Sequence, residues 1–324
     1  METSTPASIP PETLVVRPMR TSDLDVADRI FRVAFGTFVG LTDPLQFAGD
    51  TDFVRSRFAA APDRAFAAER AGELLGSNFA SRWGSVAFFG PLTTRPDCWD
   101  QGVGKRLLEP VMECFASWGV TLAGLYTFAE SAKHVALYQK YGFWPRMLTA
   151  IMARPVSEDG VPGGLARFGA LGAEEREGSV TECARLTDQI YAGLDLADEI
   201  RAVHRLGLGD TVLLRDDAGV EAFAVCHWGA GSEGGSGTCY VKFGAVRMGA
   251  GAEARFDRLL AACDAVAHAE SLSTVLAGVN AGRERAWRAM ARAGFRTAMQ
   301  GVAMHRDNAE GYSRPDVFAL DDWR

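Results

Sequence analysis
The chain is 324 residues long, 48% hydrophobic and 23% charged, which gives room for two globular domains. A net charge of −7 argues against a general nucleic-acid-binding surface. No apolar run approaches a membrane span, and Met1 to Pro11 has no basic-then-apolar leader pattern. Cytoplasmic residence is therefore expected, with neither nucleic acid nor membrane as a partner. The six cysteines are scattered without a CxxC pair, which reads as free or buried thiols rather than disulfides or a zinc site.

Residues 1–12 are rich in Ser, Thr and Pro and are expected to be loose. Leu14-Val15-Val16 reads as a strand ending at Arg17-Pro18. A helix follows, with Leu24, Val26, Ile30, Val33 and Ala34 on one face and Ser22 with Asp25 resembling a capping box. A second helical piece covers about 52–60. Residues 65–69 and 74–81 read as paired strands around the Ala71-Gly72 turn. Val86 to Phe89 is a further strand. Leu107, Leu108, Val111, Met112 and Phe115 repeat at helical spacing up to Gly119, a C-cap. A strand over 122–128, a short helix over 132–141 and a strand over 143–152 close the first half.

From about 154 to 173 the composition shifts to Gly, Pro and acidic residues, which reads as a linker. The second half repeats the order of the first. Helices fall within 173–207, strands at about 211–215, 219–228 and 238–246. A helix follows Gly249-Ala250-Gly251, then a strand at 274–279, a helix at 283–292 and a last strand to about Met304. A weak repeat of about 150 residues implies two copies of one domain. The expected division is a loose N-terminus at 1–12, a lobe at 13–155, a linker at 156–172 and a second lobe at 173–324. Its tail, 314–320, carries enough apolar side chains to dock.

One stretch organises the chain: Pro91 to Leu108. It begins as a strand ending at Thr93-Thr94, turns through Pro96, and runs through Gln101-Gly102-Val103-Gly104-Lys105-Arg106 into an apolar helix. Two glycines at a strand-to-helix turn let backbone N–H groups converge without a Cβ in the way. The helix start leaves those N–H groups unpaired and adds positive dipole character, a combination that receives phosphate. The spacing is neither a Rossmann fingerprint nor a Walker motif, since no third glycine and no Gly-Lys-Ser/Thr ending is present. The expected guest is a pyrophosphate.

With Ala136-Leu137-Tyr138-Gln139-Lys140-Tyr141-Gly142-Phe143 downstream, the sequence resembles the GNAT acetyltransferase superfamily, its tandem-domain members in particular. The glycine turn matches the family's acyl-CoA pyrophosphate motif. The second segment matches its other signature, a tyrosine four residues before Gly-Phe. The resemblance covers 14–152 well and 173–306 loosely. It implies an α+β fold of two lobes, each a mixed, largely antiparallel twisted sheet flanked by helices. It also implies acetyl-CoA as co-substrate, no metal, and transfer to a primary amine by direct attack in a ternary complex.

The site residues follow by the same resemblance. The amides of Asp100, Gln101, Gly102, Val103, Gly104 and Lys105 would cradle the pyrophosphate. Leu92, Thr93 and Thr94 would run beside the pantetheine arm, and Tyr138 would be the general acid at the thioester sulfur. The family usually has Gln or Arg where this chain has Trp99, and an asparagine where it has Ser131; Ser131 can still donate one hydrogen bond. Glu69, Glu130 and His134 are candidate bases by location only, beside a water chain. The aromatics Phe31, Phe35, Phe38, Trp83, Phe88 and Phe89 read first as core.

The second lobe is expected to lack the chemistry. Met290 stands four residues before Gly294 and cannot protonate a thiolate, and Glu253 follows the glycine turn where it would oppose a phosphate. The expected partner is a small-molecule amine acceptor, with a homodimer left open as the assembly. The rival expectation is a non-catalytic acyl-CoA-binding or regulatory protein.

Overall fold
A computed structural model describes residues 13–157 and 160–324, so the expected loose segment 1–12 lies outside the described residues. The first half begins with β1 (Val15–Pro18), α1 (Leu24–Phe38), α2 (Phe53–Ala60), β2 (Ala65–Arg70), β3 (Glu73–Trp83), β4 (Val86–Phe89) and β5 (Thr93–Thr94). It continues through α3 (Val103–Trp118), β6 (Leu122–Thr127), α4 (Ala132–Gln139) and β7 (Phe143–Pro155). The second half holds β8 (Leu165–Arg167), α5 (Ala173–Ile190), α6 (Ala197–Leu206), β9 (Gly209–Asp216), β10 (Gly219–Gly229) and β11 (Gly235–Val246). It closes with α7 (Ala252–Ala269), β12 (Thr274–Asn280), α8 (Glu284–Arg292), β13 (Arg296–Arg306) and β14 (Ala319–Asp321).

Two local expectations need correction. The α1 cap is not Ser22 with Asp25. A short 3₁₀ turn precedes the helix, and the Asp23 carboxylate accepts from the Arg20 amide at 2.7 Å. The segment read as linker is not structureless: β8 pairs with β9, and Phe168 just beyond it is buried. The tail docks as a strand, β14, antiparallel to β11.

Periodicity explains the helices. Ala27, Ile30, Phe31 and Ala34 bury one face of α1 over β2 and β3. Val103, Leu107, Leu108, Val111 and Phe115 do the same for α3, on the sheet face shared with α4. The opposite sheet face of the first lobe meets the second lobe in one continuous core containing Trp83, Phe88, Phe223, Phe243 and Trp323.

The two halves share one sheet, with strand order β1-β2-β3-β4-β6-β13-β7-β12-β11-β10-β9-β8. The order shows an exchange. β13, from the second half, pairs antiparallel with β6; β7, from the first half, pairs antiparallel with β12; β7 and β13 pair with each other at the centre. Each lobe therefore completes its sheet with a strand of the other.

Each lobe also holds one parallel pair that stops short. β4 and β6 are in register from Val86/Leu122 to Phe88/Gly124 and then diverge. β11 and β12 are in register from Thr238/Thr274 to Val241/Ala277 and then diverge. A parallel pair that splays leaves backbone groups without sheet partners, and something must fill the gap.

Candidate active site
The first divergence opens between β4 and β6, with the start of α3 beyond it. Gly102 caps α3 with φ +80°, a conformation that costs a side-chain-bearing residue about 1–2 kcal/mol. Asp100 also has positive φ, at +65°. No side chain caps the helix, and the amides of Gly102, Val103, Gly104 and Lys105 have no acceptor among the described residues. The first backbone bond of the helix is from Arg106 N to Gly102 O, 3.1 Å, while the Gln101 amide, expected in the cradle, instead donates to Cys98 O at 3.3 Å. Four unpaired donors at a helix N-terminus form a ready anion cradle.

The surroundings lock that turn. Trp99, partly exposed, donates from Nε1 to Thr94 O at 3.1 Å, and Lys133 of α4 lies 5.7 Å from its ring centre. Lys133 also pairs with Asp100 at 2.8 Å. Tyr141 donates to Lys105 O at 2.8 Å, tying the end of α4 to the first turn of α3. Gln101 is held by Asp97 O at 2.9 Å and by Arg70 at 3.2 Å. A Cβ placed on Gly104 would sit 3.8 Å from Leu137 and 3.9 Å from Thr94, so β5, α3 and α4 converge on one point.

The residues singled out from sequence fall in different settings. Leu92 is half-buried against the core under α3. The Thr93 side chain is buried, its hydroxyl 3.2 Å from that of Ser77 on β3, and its backbone pairs with Ser77 in the β3/β5 ladder. Ser131 is the N-cap residue of α4, and its hydroxyl makes no side-chain capping bond.

Tyr138 is buried on α4, its ring edge-on to Phe89 of β4 with centres 5.6 Å apart. Its hydroxyl has no hydrogen-bond partner among the described residues, and burial pushes its pKa well above that of a free phenol. It therefore stays protonated beside the strand that leaves the sheet.

Of the candidate bases, Glu69 is bound by Arg17 at 2.7 Å, and Arg17 also holds Asp23. That makes Glu69 a structural charge. His134 packs against Phe38 with centres 5.3 Å apart, and burial, with some help from Lys133, lowers its pKa. Glu130 is exposed just before α4. Among the aromatics, Phe31 is buried on the inner face of α1, while Phe35 and Phe38 reach Phe128 on the far side of the divergence at 6.2 and 4.8 Å.

The second lobe repeats the geometry without the vacancy. Gly251 caps α7 with φ +80° and ψ 5°, against φ +80° and ψ 3° at Gly102. Glu253 in that first turn is held by Arg285 at 2.8 Å and Arg292 at 2.6 Å. Met290 is fully buried. β14 lies against both β11 and β12: Phe243 pairs with Asp321 just past the last β11/β12 pair, and a Cβ on Gly278 of β12 would fall 2.3 Å from Asp322 Cβ. The chain's own tail fills the second divergence.

Sequence reasoning missed a buried charge network between the lobes, formed by Arg57, Glu199, Glu233 and Lys242. One signal was present: Lys242 interrupts the apolar run Tyr240-Val241-Lys242-Phe243, and a lysine inside such a strand needs a partner. No helix among the described residues is long and apolar enough to cross a membrane.

Comparison with known proteins places this geometry. Residues 34–143 match the family model for the acetyltransferase (GNAT) family. No curated protein matches the sequence. Among solved structures, a Pyrococcus horikoshii protein provisionally assigned as an acetyltransferase superposes with TM-score 0.68 at 11% identity, covering 100% of this chain and 98% of that one. A GCN5-related N-acetyltransferase from Sphaerobacter thermophilus gives 0.58 at 15% identity, covering 93% and 98%. A tandem GNAT protein from the clavulanic acid biosynthesis pathway gives 0.58 at 13%, covering 92% and 100%. At these identities the superpositions speak for the fold. The GNAT match covers residues 34–143 in the first half, and the whole chain shares its two-lobed fold with these solved structures.

Proposed function
We propose that the protein is an acetyl-CoA-dependent N-acetyltransferase that works from its first lobe and acetylates a primary amine on a small molecule. The observation that carries this is the alignment of four unpaired amides at the start of α3 with a buried, protonated Tyr138 beside the end of β4. The amides take the pyrophosphate. The pantetheine arm runs along Leu92 to Thr94, between β4 and β6. The amine nitrogen attacks the thioester carbonyl carbon, the carbon–sulfur bond breaks, and the leaving sulfur takes the Tyr138 proton, which solvent restores. The amine's own proton leaves through water or His134, which burial keeps neutral. Holding both substrates in line supplies most of the rate gain, and the phenol adds general-acid catalysis.

The test is calorimetric titration with acetyl-CoA, repeated on Gly104→Glu. The first side-chain atom fits at Gly104, since its nearest neighbours are 3.8 Å away, so the variant folds but sets a carboxylate among the amides. Binding by the wild type that is lost in the variant supports the reading. No binding by folded wild type refutes it.

A further inference from the structure
Arg57, on α2 of the first lobe, is buried in the junction between the lobes. Its Nε and Nη2 donate to the two oxygens of Glu233, from the second lobe, at 2.9 and 3.2 Å. Lys242 of β11 bonds the same Glu233 at 2.9 Å and pairs with Glu199 of α6 at 2.9 Å. Glu199 also accepts from Trp83 Nε1 at 3.3 Å and lies 3.7 Å from His227. Two cations and two carboxylates balance, which is the condition for keeping charges away from water. Against the cost of their desolvation, Arg57 and Lys242 hold the Glu233 carboxyl well below the usual range.

Two hydrogen bonds of Arg57 are not needed for that balance. Its Nη1 donates to the carbonyl of Gly90, and its Nη2 also reaches Arg324 O. Gly90 is the first residue after β4, two beyond the last β4/β6 pair, with φ +141°. Its amide donates to Phe79 O on β3 at 2.8 Å. Pro91 follows and has no N–H to extend the ladder. Gly90, at the mouth of the divergence, is thus pinned through its amide by β3 and through its carbonyl by Arg57. Arg57 is itself pinned by a carboxylate of the other lobe, and a planar guanidinium with several donors suits that triple task where a lysine would not.

We propose that Arg57, oriented by Glu233, is a positioning residue for acyl transfer: it fixes the Gly90 carbonyl and with it the path through Pro91 to the Leu92 amide, which has no acceptor among the described residues and would donate to the thioester carbonyl. The second lobe then contributes to the first lobe's chemistry through this bond. The inference rests on the function proposed above.

The test reads the thioester itself. Acetyl-CoA labelled with ¹³C at the acetyl carbonyl is bound to the full chain, and its carbonyl stretch is followed by isotope-edited infrared spectroscopy. The wild type is expected to lower that frequency relative to free acetyl-CoA. Arg57→Lys and Glu233→Gln are expected to lose most of the shift, while acetyl-CoA affinity stays within about twofold because the pyrophosphate cradle is untouched. Glu233→Asp, which keeps the charge, should retain more of the shift than Glu233→Gln. Val266→Ala, in the second lobe's separate core, is the control for general loosening and should leave the shift intact. An unchanged shift in both Arg57→Lys and Glu233→Gln, or an equal loss in Val266→Ala, overturns the proposal. So does bound wild-type acetyl-CoA with no shift. Absence of any acetyl-CoA binding would instead bring down the functional reading beneath it.

Discussion
Replacing Tyr138 with phenylalanine separates catalysis from packing. The ring stays, with its contact to Phe89 at 5.6 Å and its place in the core under α3 and α4. The hydroxyl has no protein partner to lose, so folding stability should change by less than about 1 kcal/mol. If the hydroxyl protonates the departing thiolate, its loss removes general-acid catalysis, typically a factor of about 10² to 10⁴. At about 1.36 kcal/mol per tenfold, that is roughly 3–5 kcal/mol of barrier. The assay is release of free coenzyme A thiol, with acetyl-CoA affinity measured separately by calorimetry. The expected result is a kcat lower by at least about a hundredfold at near-constant affinity and thermal midpoint. The raised phenol pKa adds a sign: a group pushed above its usual value of about 10 stays protonated below that pH, so Tyr138 should cause no alkaline loss of kcat under pH 10. An unchanged kcat in the phenylalanine variant, or an alkaline limb near pH 8 that the variant abolishes, would refute the assignment.

Further expectations follow from the same geometry. Gly124→Ala would place a Cβ 2.1 Å from Trp323 Cζ3, and overpacking of this kind costs about 1–3 kcal/mol; the urea midpoint should fall and be partly restored by adding Trp323→Leu. Gly102→Ala meets no atom within 4 Å, so its cost is conformational alone, about 1–2 kcal/mol by denaturation, together with weaker acetyl-CoA binding. Calorimetry should give one acetyl-CoA per chain, because β14 occupies the second divergence; a stoichiometry of two would contradict that. Stability should decline with acid in two windows. His134 and His305 have pKa values lowered by burial, so the unfolded chain takes up their protons first and stability falls below about pH 6.5. Against desolvation, Lys242 and His227 hold Glu199 at about 2, so its contribution is lost as pH falls from about 4.5 towards 2. Denaturant titrations at a series of pH values measure both, and a flat profile between pH 7 and 3 would contradict them.

What the sequence made legible was local. The Gly102-Val103-Gly104 turn shows because an anion cradle needs a left-handed residue at one helix cap, and the apolar spacing of α3 announces the helix behind it. Met290 and Glu253 showed where the second lobe departs. Long-range pairing was not legible. Nothing in residues 143–155 says that this strand inserts between β13 and β12, since a hydrophobic strand carries no label for its neighbour. Nor did Arg57 stand out among the arginines of the chain; its importance comes from Gly90 and Glu233, 33 and 176 residues away in sequence.

The strand exchange and the buried network bear on why two lobes persist when the tail occupies the second divergence. Cut at the boundary between the repeats, the first lobe would lose β13 and expose the edge of β6, whose pairing runs from Gly124 to Thr127 along the wall of its own cleft. It would also remove Glu233, the carboxylate that orients Arg57 towards Gly90. The second lobe has spent its own divergence on β14, and the residues just past that strand, Asp322, Trp323 and Arg324, lie against the first. Trp323 stacks on Phe88 with centres 6.1 Å apart, over the last β4/β6 pair before the strands separate. The segment that closes one cleft thus forms the floor of the other. Occupation of the second divergence and packing over the last β4/β6 pair of the first follow from the same few residues of tail.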